Sequence, residues 1–110
     1  MSKRSQAYEQ IIGRALTADL YEGLQPTIVS DVVYGAIEID PALLTIKCLF
    51  LDTAALREAQ ENGTCVIIKQ RILEALQKEG YPQKGVEGVS VGFASQQEVD
   101  EAGGPWHYFR

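Results

Sequence analysis

Covalent or acid–base chemistry needs a nucleophile or base, a group that activates it and a group that orients both. This sequence has one histidine, His107, close to its end, and two cysteines, Cys48 and Cys65, both inside apolar runs. A Cys48–His107 thiol–imidazole pair would be a nucleophile, but no spacing places the two together. Neither cysteine belongs to a Cys-x-x-Cys pair, and a second histidine for a zinc site is lacking. In an apolar run, free cysteine behaves as a small hydrophobe. Carboxylates recur as Asp19 with Glu22, Glu38 with Asp40, and Glu98 with Asp100 and Glu101. General acid–base work needs one carboxyl raised by burial, whereas acids alternating along a strand mark its wet face. The ligand-dense calcium loop is absent. "GVEGVSVG" lacks both the lysine of a phosphate loop and the spacing of a dinucleotide fingerprint. The expectation is no catalytic residue, no metal and no cofactor.

The outlier is the C-terminal "GGPWHYFR", which holds the only tryptophan. Trp106, His107, Tyr108 and Phe109 combine large apolar area with polar handles, a composition enriched at interfaces. Either they fold back onto their own domain, or they dock on a partner or a second copy. Gly103-Gly104 would free the arm, and Pro105 would stiffen its start. Residues 1–104 read as a single α+β domain and residues 105–110 as its aromatic tail.

The chain has 110 residues, with 45% hydrophobic and 23% charged, enough for one core. Ten basic and fifteen acidic residues give a formal charge of -5, which disfavours nucleic acid as a partner. Lys3-Arg4 and the group Lys69, Arg71 and Lys78 read as solvated surface. No run approaches the ~20 apolar residues of a membrane helix, and "MSKRSQAYEQ" has no apolar signal region behind it. A cytoplasmic chain without membrane insertion is expected. A reducing cytosol disfavours a disulfide.

These residues must be positioned by a small set of elements. Tyr8, Ile11, Ile12, Ala15, Leu16 and Leu20 form a helical stripe, with Ser5 as cap and Gly23 as terminator. Gly13 inside that helix costs about 1 kcal/mol relative to alanine. "TIVSDVVYGAIEID" reads as a strand in which Ile37 and Ile39 alternate with Glu38 and Asp40. "LLTIKCLFL" is a second strand, with Leu44, Ile46, Cys48 and Phe50 on one face. Leu43, Thr45, Lys47, Leu49 and Leu51 lie on the other. Both faces are largely apolar, so this strand is central or meets a partner. The short connection makes the pair an antiparallel hairpin. A short helix capped by Asp52 or Thr53 precedes a longer one from Thr64 to Gly80. "GVEGVSVGFAS" reads as the third strand, and Ser95 with Glu98 as the capping box of a last short helix. The order predicts a two-layer α+β sandwich, αββαβ, a ferredoxin-like variant with a short C-terminal helix. "PWHYFR" could add a fourth strand at an edge.

Gln25-Pro26-Thr27 before the first strand and Gly80-Tyr81-Pro82-Gln83 after the long helix resemble the soluble αββαβ module of small-conductance mechanosensitive channels. The order is also similar to the cytosolic module of cation-efflux transporters and to KH-type ribosome-assembly factors. This chain lacks the metal-binding histidines of the former and the basic surface of the latter. The resemblance implies topology. The leading expectation is a non-enzymatic interaction, assembly or regulatory module, self-associating or binding a protein partner through its sheet or tail. Trp106, His107, Tyr108, Phe109, Leu49, Leu51 and Tyr34 are its candidate contacts. One alternative is a small-molecule or enzymatic site near the open sheet face, lined by Tyr34, Cys48, Trp106 and His107. Another is a stand-alone relative of the channel module.

Overall fold

The computed structural model describes residues 3–104, with side chains from residue 6 onward. Trp106, His107, Tyr108, Phe109 and the fourth strand expected at the tail lie outside the described residues.

The apolar stripe forms helix α1 (Lys3–Ala15), which buries Ile12 and Ala15. The helix ends before Gly23, and Ser5 lies inside it rather than at its cap. Thr17 is extended, and Ala18–Tyr21 closes a separate 3₁₀ turn. Tertiary packing decides this break. The turn drops Tyr21 into the core, and Arg71 donates to the carbonyls of Leu20 at 3.1 Å and Glu22 at 2.8 Å. Those bonds satisfy carbonyls that a continued helix would have used itself. Arg71 is therefore a structural clamp rather than solvated surface. A Cβ at Gly13 would meet nothing within 4 Å. Gly13→Ala is expected to raise stability by about 1 kcal/mol, read as a higher urea midpoint at unchanged slope.

Strands β1 (Ser30–Tyr34) and β2 (Thr45–Phe50) pair antiparallel, from Ser30 opposite Leu49 to Tyr34 opposite Thr45. The first strand is shorter than its β-branched run. At Gly35, φ is +127°, and any Cβ would collide with the Leu43 carbonyl. The amide of Ile37 then bonds Gly35 O at 2.9 Å and that of Ile39 bonds Ala36 O at 2.9 Å. Residues two apart on a strand share a face, yet Ile37 is 6% exposed and Ile39 76%. The alternation read as a strand is a turn.

After β2 come α2 (Thr53–Glu61), α3 (Thr64–Lys78) and α4 (Gln83–Gly88), before β3 (Ser90–Ser95). This long crossover lets β3 pair parallel to β2. Asp52 caps α2 through the Ala55 amide at 2.8 Å, and Gly80, at φ +90°, ends the helical run of α3. The third strand also begins later than its sequence suggests. Gly85 and Gly88 are helical and lie against Tyr81, Pro41 and Ala42, where a Cβ at Gly88 would come within 2.5 Å of Ala42. Close helix approach, which low helix propensity conceals, explains those glycines. Helix α5 (Gln96–Glu101) starts at Ser95, whose Oγ accepts from the Glu98 amide at 3.1 Å.

The result is a mixed α+β fold with sheet order β1-β2-β3, so β2 is central. Ile46, Cys48 and Phe50 pack on Ile68, Ile72 and Leu76 of α3, all 0% exposed. The opposite face carries a second cluster of Leu49, Ala94 and Val99, joined by Val32. Helix α5 thus covers part of the face that a two-layer sandwich would leave open. Among the described residues no helix is long and apolar enough to cross a membrane.

Candidate functional site

The register places Asp31 opposite Cys48 and Val33 opposite Ile46, so both point toward the helical layer. That layer covers them only in part. Helix α1 packs mainly on α3, and Val33 stays 39% exposed although it faces inward. On its other side β1 has no neighbouring strand among the described residues. Two cavities of about 360 Å³ each open along this strand. One lies between Leu16, Thr17 and Tyr21 and residues 27–31. The other lies between Glu9, Ile12 and Gly13 and residues 33–35. Asp31 falls in the first and Val33 in the second, so the cavities follow one another along a groove between the α1 side and β1.

The groove is acidic. Carboxylates of Glu9, Asp19, Glu22, Asp31 and Glu38 belong to its lining, which includes no lysine or arginine. The ion pair found among the described residues, Arg14 with Glu79 at 3.3 Å, does not involve these carboxylates. The Tyr21 hydroxyl donates to Asp31 Oδ2 at 3.2 Å. Burial first, then the charges of Cys48 and Asp31, push the Tyr21 hydroxyl pKa upward, so it stays a donor.

Beneath Asp31 the Cys48 thiol is fully buried. Burial, with help from Asp31 and Cys65, pushes its pKa up to about 12. Burial also raises Cys65. Both thiols are free, and both are held as thiols rather than nucleophilic thiolates. Iodoacetamide should modify the native chain on the order of 100-fold more slowly than the urea-unfolded chain. Intact-mass kinetics measure this, and fast labelling of Cys48 in the native state would contradict the burial.

The residues expected from sequence distribute as follows. Tyr34 ends β1 on the face opposite Cys48, so these two do not line one site. Leu49 is 1% exposed and covered by its own chain, through Ala94 and Val99. Leu51, just past β2, is 64% exposed. Trp106, His107, Tyr108 and Phe109 lie outside the described residues. Sequence reasoning missed Asp31, Val33 and Gly13 as one groove. The signals were an acid flanked by β-branched residues in "VSDVVY" and a glycine inside a helix. Among the described residues no group of three or more His, Cys, Asp or Glu could hold a metal ion.

Together fold and groove define a mixed α+β domain with an uncovered edge strand. Comparison with protein-family models, curated proteins and solved structures found no match.

Proposed function

We propose that this chain is a non-enzymatic interaction module that accepts an extended segment, from a protein partner or a second copy, along the edge of β1. Strand addition uses the unpaired amides and carbonyls of an edge for affinity and pockets for alternate side chains for specificity. The observation that carries the reading is that Asp31 and Val33, two residues apart and facing inward, open into cavities instead of lying fully under a helix. The aromatic tail belongs to the same proposal as a second contact, from this copy or another. The ferredoxin-like plan enters as topology only: a helix-first hairpin followed by a helical crossover to a third strand.

Light scattering from micromolar to millimolar concentration, combined with amide exchange at residues 29–34, tests the reading. Protection of alternate β1 amides on self-association or peptide addition is the expected result. A chain that stays single, with β1 amides exchanging freely under every addition, is the result that sinks it.

A further inference from the structure

Building on the strand-addition reading, we infer that the groove's occupant is an extended partner segment with a basic side chain and an apolar one two residues apart. The basic side chain sits against Asp31, and the apolar one enters the cavity beside Val33 and Gly13. An added strand presents alternate residues to one face. Asp31 and Val33 are two apart on that face, so the occupant must repeat the same spacing.

Charge selects the first side chain. Asp31 is half-buried and accepts one hydrogen bond, from Tyr21. No cation pairs with it among the described residues, and the further carboxylates of the groove share its sign. A partly buried carboxylate field of this kind favours an incoming guanidinium or ammonium and rejects acids. It also disfavours a second copy's β1. Antiparallel self-pairing would bring two Asp31 side chains into the same groove, and inward-pointing charges on edge strands suppress such pairing.

Gly13 selects the second side chain. Its exposed position in α1 has no partner atom within 4 Å of a would-be Cβ, so packing inside the chain does not require glycine there. It lines the second cavity with Ile12, Val33 and Leu44. The missing side chain is space that an apolar group from outside can fill.

The test uses fluorescein-labelled nine-residue peptides with a Thr/Val background, carrying Arg and Leu two residues apart. Controls replace Arg by Glu, or move Leu to one residue from Arg. Fluorescence anisotropy should show the Arg–Leu peptide binding about 10-fold or more tightly than either control, with affinity falling as salt rises. Asp31→Asn keeps an acceptor for Tyr21 and should weaken binding several-fold. Gly13→Leu should abolish it while the folded chain becomes more stable, because leucine is the better helix former. Those amides of β1 that do not already bond β2 should become protected by the Arg–Leu peptide. Equal binding of the Arg and Glu peptides, or no binding by any, overturns the inference. So does a dimer that Gly13→Leu dissolves, because the groove then belongs to a second copy. In that dimer outcome protected β1 amides leave the strand-addition reading standing. Both fall together when β1 is never protected.

Discussion

Phe50→Ala is expected to lower the unfolding free energy by about 3–5 kcal/mol, a large part of the 5–15 kcal/mol typical of a domain. Phe50 closes the core face of the central strand and is 0% exposed, and its ring lies 6.3 Å from that of Phe93 on the parallel neighbour. Removing it takes away buried area and leaves a cavity whose walls belong to both the sheet and the helical layer, which limits collapse. Urea unfolding should show a lower midpoint at unchanged slope. The neighbouring substitution sets the scale. Leu51 is 64% exposed, so Leu51→Ala should change stability by less than about 0.5 kcal/mol. The pair tests the register itself. A slip of one residue would exchange the two faces of β2, so comparable losses from both changes, or a greater loss at Leu51, would contradict the pairing described here.

The faces of β2 were legible because they follow from alternation alone. Leu44, Ile46, Cys48 and Phe50 share one side whatever the neighbours are, and a strand apolar on both sides was expected to be central or to meet a partner; it is central. The capping residues were legible for a similar reason: Asp52 and Ser95 bond amides within the next turn, so their role is local. Failures came where a distant contact overrode a local pattern. Ile37 and Ile39 have strand-like spacing, but Gly35 must clear the Leu43 carbonyl, and that contact turns the chain. Gly85 and Gly88 look like helix breakers until Pro41 and Ala42 are placed against them. The groove was illegible for the same physical reason. Asp31 and Gly13 are unremarkable singly, and only the incomplete cover of β1 by α1 puts them on the walls of two successive cavities. Leu49 shows the converse, since its apolar outward position is accounted for by α5.

Alkaline pH provides the second large effect. The unfolded chain loses thiol protons near 9.0 and phenol protons near 10.0. In the native state burial holds Cys48 near 12, with Asp31 and Cys65 adding to the effect. Burial also holds Tyr81 near 12, helped by Tyr8 and Asp40, and it raises Tyr21 as well. All these shifts are upward, so above pH 9 the unfolded state binds fewer protons than the native state, and stability falls as pH rises. The contribution is fully present below pH 9 and is lost as the pH rises toward 12, at about 1.4 kcal/mol per pH unit for each group. Tyr81 has a geometric reason to resist ionisation: its hydroxyl donates to the Pro41 carbonyl at 2.7 Å, and its ring meets Tyr8 edge-on at 5.5 Å. Tyrosinate absorbance from Tyr21 and Tyr81 should therefore appear only with loss of the folded signal. Tyr81→Phe isolates one group. It should lower stability at neutral pH by about 1 kcal/mol through the lost hydrogen bond, and make the decline above pH 10 shallower by about 1.4 kcal/mol per pH unit. An alkaline limb unchanged by this substitution would mean that the Tyr81 hydroxyl already ionises freely in the folded chain, and that the contact joining the α3–α4 connection to the Pro41 turn is open to water.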